Sequence, residues 1–198
     1  MIDQPAAEKT TFTTLFEVAP AALGRAQGIA DTFQHAIAPA TVDYDFGEIS
    51  RAASRIPHST TVRNVRGWGL QETVPVSVVV LSLAEAVRQA LAEPFTNARF
   101  WARAEEALTG AFVGLGTQEG THLSFYEDTP ERTSYYYNLL FALQDEETGD
   151  AVHAVALCVN VSVALDGERV RALSVEDTAR FTVRLNAIAL RQQPPAEA

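Results

Sequence analysis

The chain has 198 residues, a hydrophobic fraction of 47%, a charged fraction of 20% and a formal net charge of −10. These values describe an ordinary globular protein with room for one substantial domain, and exclude a disordered chain. The negative balance disfavours nucleic acid and strongly anionic membranes as partners, because phosphates are repelled; neutral ligands and zwitterionic lipid surfaces stay open.

The single cysteine, Cys158, rules out an internal disulfide framework and any multi-cysteine metal site. The opening "MIDQPAAEKT" has neither a basic nor an apolar region of the kind that marks a secretory signal, so a cytoplasmic protein without a cleaved signal is expected. No apolar run approaches the roughly 20 residues of a membrane-spanning helix. Lys9 is the only lysine among the fifteen basic residues, which carries no functional weight. No repeat, low-complexity segment or linker divides the chain, so one domain over 1–198 is expected, with 1–9 and 192–198 frayed.

Residues 10–18, "TTFTTLFEV", are strand-like in their threonine and phenylalanine content. Pro20 suits a helix start, and Leu23, Ala26, Ile29, Ala30, Phe33 and Ile37 follow as one apolar stripe ending before Pro39. "TVDYDFGEIS" and "STTVRNVRGWGLQ" alternate in polarity and are expected as strands. The segment from Val74 to Leu91 opens like a strand, yet its apolar residues share one helical face, so it is expected as a helix. Pro94 starts a second helix in the same reading, carrying Phe95, Phe100, Trp101, Ala104 and Leu108, and the two form a hairpin. "GAFVGLGTQEG" is a glycine-spaced connector.

From residue 121 the period becomes two. "THLSFYE", "TSYYYNLLFALQ", "AVHAVALCVNVSVAL", "RVRALSVE" and "ARFTVRLNAIAL" are five strand candidates separated by turn residues. In the third of these, 151–165, Val155, Leu157, Val159, Val161, Val163 and Leu165 share one face. Ala154, Ala156, Cys158, Asn160, Ser162 and Ala164 share the other. Bulky residues fill one layer and small ones admit a close helix, so both faces are covered. The expected fold class is α/β in the α+β sense: a single-domain, three-layer α/β/α arrangement with a mainly antiparallel central sheet wrapped by two helical layers.

Candidate chemistry is sparse. Asp31 and His35 stand at i, i+4 without a visible third ligand, which reads as an exposed ion pair rather than a metal site. His153 and Cys158 are five apart on one strand and point to opposite faces, so a thiol–imidazole pair is disfavoured and Cys158 is expected to be structural. "GLGTQEG" has the wrong spacing for a phosphate loop, and the acidic turn of Asp145, Glu146, Glu147 and Asp150 lacks calcium-loop spacing. No catalytic residue, metal ligand or cofactor is expected, and no enzyme activity.

Two stretches resemble a family. "ALGRAQGIADTFQHAIAPATVDYDFGE" is similar to the first helix and following segment of the Cyt-type delta-endotoxins, the cytolytic bacterial toxins, through Phe33-Gln34, Ala36-Ile37, Pro39 and Asp45-Phe46-Gly47. "YYYNLLFALQDEETGD" resembles that family's strand and turn through Tyr135, Tyr137, Asn138, Leu140, Phe141, Ala142, Gln144, Thr148 and Gly149. "SVEDTARFTVRLNAIAL" resembles its closing strand, so the likeness spans about residues 10 to 191.

The resemblance implies a soluble toxin, released from the producing cell, that binds membrane phospholipid directly and permeabilises the bilayer. Its helical layers swing away and its long strands insert or assemble. A homodimer in solution and a homo-oligomer on the membrane are the implied assemblies, and the lipid is expected to be zwitterionic. On that reading the membrane-contact candidates are Val76, Val80, Leu83, Val87, Phe95, Phe100, Trp101, Tyr135, Tyr137, Leu139, Phe141, Val155, Leu157 and Val159. Phe95, Phe100 and Trp101 suit either core or lipid. The chain starts close to its first strand, so little pro-segment is expected for proteolytic removal. The alternative is a non-lytic lipid- or acyl-binding protein of the same fold, acylated at Cys158, the residue whose neighbours on the small-residue face leave room for a chain.

Overall fold

The computed structural model describes residues 12–37, 45–91, 95–144 and 149–196. Lys9, Pro39, Pro94 and residues 145–148 of the acidic turn, on which some of the expectations fall, lie outside the described residues.

Six strands build one sheet: β1 (Phe12–Glu17), β2 (Ser59–Pro75), β3 (Leu123–Asp128), β4 (Thr133–Leu143), β5 (Val152–Val163) and β6 (Thr178–Gln192). Their order is β1-β4-β5-β6-β2, with β3 also on β4. The sheet is antiparallel except for β1, which runs parallel to β4 from Phe12↔Asn138 to Glu17↔Leu143. β3 takes the other half of that edge, from Leu123↔Tyr137 to Asp128↔Thr133. The α-helices among the described residues are α1 (Leu23–Gln34), α2 (Phe46–Arg55), α3 (Val76–Leu91), α4 (Ala98–Gly110) and the short α5 (Gly167–Arg171).

Strand alternation divides the sheet's side chains into two cores. Tyr135, Tyr137, Leu139, Phe141 and Leu143 of β4 and Val155 to Val163 at alternate positions of β5 face α3 and α4. Leu140, Ala142, Ala154, Ala156, Cys158, Ile188 and Leu190 face α1 and α2, which bring Ala26, Ile29, Phe33, Ile49 and Ala52. The alanines allow these helices to lie close to the sheet. The three-layer architecture expected from the sequence is the one observed, and it is a single α+β domain.

Three expectations are corrected. "TVDYDFGEIS" does not end in a strand: Asp45 caps α2 by accepting from the Glu48 amide at 3.0 Å. The helical stripe Ile49, Ala52, Ala53, Ile56 begins inside that window and runs past it, so reading only to residue 50 hid its period. "RVRALSVE" is α5 and a turn. Asp166 accepts from the Arg169 amide at 3.0 Å, and Val170 and Leu173 are buried at helical spacing. Gln192, expected to fray, closes β6 and donates through Nε2 to the Pro57 carbonyl at 3.1 Å.

The polar histidine pair also differs from expectation. His35 Nδ1 lies 2.6 Å from the Asp31 main-chain carbonyl, whereas the Asp31 carboxylate accepts from Gln27 Nε2. Among the described residues no cluster of three metal-ligating side chains occurs.

Candidate functional site

β2 runs straight into α3. Pro75 is the last strand residue and Val76 the first helical one. The early amides of a helix have no partner within it. Here the Val76 and Ser77 amides donate to Asp177 and Val175 carbonyls at 3.1 and 3.0 Å, which pins the start of α3 beside the start of β6. From there Val76, Val79, Val80, Leu83, Val87 and Leu91 descend one buried face at three- and four-residue steps.

α4 starts at Asn97, whose side chain accepts from the Phe100 amide at 3.0 Å. Phe95 therefore precedes the helix instead of lying within it. Its carbonyl accepts from Trp101 Nε1 at 2.9 Å, and its ring meets His153 edge-on at 4.9 Å. Phe100 meets Phe141 of the sheet edge-on at 6.1 Å, and the Arg88 guanidinium of α3 sits 4.2 Å from the Trp101 ring centroid. The last contact ties the two helices into the expected hairpin pair.

Two tyrosines anchor the sheet to the far end of α4. The Tyr135 hydroxyl donates to the Ala111 carbonyl at 2.7 Å, and the Tyr137 hydroxyl donates to Gln118 Oε1. Burial pushes the Tyr135 phenol well above its ordinary range. Tyr137 is also raised by burial, partly opposed by its hydrogen bond with Thr13. Both remain neutral donors in water.

Every membrane-contact candidate named from the sequence lies in this one core between the sheet and α3–α4. Phe95, Phe100 and Trp101 face core. Cys158 stands apart, 3% exposed, in the opposite core under α1 and α2. His153 shares the α4 side, so the expected separation from Cys158 holds.

The arrangement holds no nucleophile–base pair. It is an apolar interface whose two sides belong to different layers. One tie across its margin was not foreseen: Glu17 at the end of β1 receives both Arg99 and Arg103 of α4. Sequence offered no signal for it, since 82 or more residues separate the partners.

A family model described as Bacillus thuringiensis toxin matches residues 1–195. The chain belongs to this toxin family.

Among the family's members, the Type-2Aa cytolytic delta-endotoxin of Bacillus thuringiensis subsp. kyushuensis is 32% identical over 189 residues, covering 95% of this chain and 73% of that protein. The Type-2Ba cytolytic delta-endotoxin of subsp. israelensis is 26% identical over 95% of this chain and 72% of that protein. A solved delta-endotoxin superposes with a TM-score of 0.88 at 31% identity, covering 94% of this chain and 84% of that one. The activated Cyt2Ba monomer of subsp. israelensis gives 0.89 at 26% identity, covering 94% and 100%. The delta-endotoxin resemblance read from the "YYYNLLFALQ" and "DFG" stretches is thus the right one, and the function is toxin-like. Among the described residues of this family member no helix is long and apolar enough to cross a membrane.

Proposed function

We propose that the protein is a non-enzymatic cytolysin that binds membrane lipid and permeabilises the bilayer by separating α3–α4 from the sheet and exposing β4, β5 and β6 to lipid. The build of that interface carries the reading. The strands are 11, 12 and 15 residues long, and a tilted strand needs about 9–11 residues to cross a bilayer. On the face that α3–α4 cover, Tyr135 to Leu143, Val155 to Val163 and Ala179 to Ala189 are apolar apart from the tyrosine hydroxyls, so lipid can replace the helices there; His153 and Arg191 pair across the strands at one end of that face. The helix pair is amphipathic and suits an interfacial position after release.

An open sheet still has unpaired edges. Backbone pairing inside hydrocarbon therefore requires several copies to join, which supports a homo-oligomer on the membrane. Zwitterionic phospholipid is the proposed target, in keeping with the net charge of −10.

The test is dye release from phosphatidylcholine vesicles. Leakage that rises with protein dose is expected; intact vesicles at every dose and pH would refute the proposal. Cys158 favours a second reading, a non-lytic acyl carrier, because its thiol faces α1–α2 among alanines. An added acyl mass on the intact chain, absent in Cys158→Ala, would support that alternative.

A further inference from the structure

The second face of the sheet is covered over only half its length. Cross-strand register places Leu140, Ala156 and Ile188 in one row, and Ala142, Ala154 and Leu190 in another; α1 and α2 cover both. On the same face, beyond Asn138, Cys158 and Asn186, the rows turn polar. The first is Tyr136, Asn160, Arg184 and Gly69; the next is Ser134, Ser162, Thr182 and Gln71. Arg180 opposes Thr73 one row further.

No helix among the described residues lies over the polar rows. They floor a cleft of about 540 Å³ lined by Gln71, Ser162, Thr182, Arg180, Glu131 and the ion-paired Arg132 and Glu127. A second cleft of about 310 Å³ reaches Arg184 and Gly67 and shares Gln71 and Thr182 with the first.

Two features of these rows point to a ligand. First, the chain carries ten more acidic than basic charges. Arg51, Arg99, Arg103, Arg132 and Arg171 all hold carboxylates. Arg180 and Arg184 are exposed and have no ion-pair partner among the described residues. They flank Thr182 on one strand face, so an anion seated over Thr182 lies about 7 Å along the strand from each, within reach of an extended arginine. Glu127 offers little competition, because Arg132 and Ser134 already hold its carboxylate.

Second, exposed apolar side chains gather at the same end of the molecule. Three of the six large exposed hydrophobics are Val78, Tyr126 and Val175. The bonds from the start of α3 to Asp177 and Val175, and the pairing Pro75↔Thr178, put Val78 and Val175 beside the start of β6. Tyr126 is the extra residue of a β3 bulge, between Phe125↔Tyr135 and Glu127↔Ser134. The bulge turns Tyr126 onto the open face, 4.8 Å from the Tyr136 ring, with its hydroxyl donating to Asn160 Oδ1 at 2.7 Å. Arginines for phosphate, a half-exposed tyrosine and aliphatic side chains are the groups that settle at a lipid–water interface.

We propose that this end of the sheet is where the soluble molecule docks on a phospholipid surface, with Arg180 and Arg184 holding headgroup phosphate across Thr182. Tyr126 beside them, and Val175 at the start of β6, enter the interface with them. The inference rests on the membrane-binding reading above and adds its orientation: the start of β6 and the end of β5 meet the bilayer first. In sequence, the signal was the alternation Arg180, Thr182, Arg184 on the face opposite Phe181, Val183 and Leu185.

The test is co-sedimentation of the full chain with phosphatidylcholine vesicles and with vesicles of phosphate-free glycolipid. The double variant Arg180→Gln/Arg184→Gln is compared with the charge-matched Arg51→Gln/Arg55→Gln on α2, with thermal unfolding confirming that each folds. The expected result is binding weakened about tenfold or more in the first variant only, and weak binding of wild type to glycolipid. A second variant, Tyr126→Ser/Val175→Ser, is expected to weaken binding with both arginines intact. Equal binding by the two arginine variants, or equal binding to both vesicle types, overturns the docking site and leaves lipid binding standing. A wild type that binds no vesicle overturns both readings together.

Discussion

Replacing Leu83 by alanine separates the strength of the α3–sheet interface from the stability of the whole molecule. Leu83 is fully buried in the core that α3 shares with the sheet. Truncating such a leucine costs about 3–5 kcal/mol, of which about 2 is lost transfer from water and the rest is the cavity left behind. In a chain of this size that lowers the melting temperature by about 6–20 °C. On the proposed mechanism, release of the layer onto a membrane responds differently. The side chain leaves a packed core for hydrocarbon, so the transfer part cancels and only the cavity part, about 1–3 kcal/mol, favours opening. Leakage is then faster by about 5- to 150-fold where layer separation limits the rate. Leu140→Ala is the control, because Leu140 is equally buried but lies in the opposite core under α1–α2. Calorimetry and dye release on both variants give the answer. The reasoning fails if Leu83→Ala leaks no faster than wild type, or if Leu140→Ala accelerates leakage equally.

The Glu17 tie to Arg99 and Arg103 holds α4 to β1; Glu17→Gln is expected to loosen it by about 1 kcal/mol and speed leakage about fivefold, an effect that shrinks as salt is raised. Asp45→Ala removes the cap of α2 and should cost about 1 kcal/mol, or about 2–4 °C in calorimetry, without changing leakage by the α3–α4 route. Tyr135 has a folded-state pKa raised above its ordinary 10.0 by burial. Its contribution to stability is therefore complete below pH 10 and is lost as pH rises above it, since the unfolded chain ionises first. Tyr135→Phe should flatten the alkaline limb of a pH–stability curve while costing about 1 kcal/mol for the lost bond to Ala111.

Much of this architecture was legible along the chain. Alternation over 134–144, 151–165 and 179–190 sorted the side chains of β4, β5 and β6 onto the two faces they occupy, because strand geometry forces successive residues apart. Helical spacing identified α1, α3 and the buried residues of α4. The failures fell where an element was short or a window was cut: α2 begins at an aspartate inside an apparently polar strand, and α5 is one turn of helix set by Asp166.

The candidate core was legible as a set of residues but not as a place. Periodicity states which side chains share a face; it does not state what covers that face. Leu140 and Tyr136 point the same way from β4, yet α1–α2 bury the first and leave the second partly open. Cover depends on helices returning from distant parts of the chain, and on bulges such as the one at Tyr126 that re-aim a residue. The sequence alone therefore determined the faces, the strand lengths and the family likeness. Tertiary packing decided that Glu17 meets α4, that every apolar candidate is closed beneath α3–α4, and that Arg180 and Arg184 stand uncovered beside the exposed apolar end, because contacts between remote segments leave no local period to read.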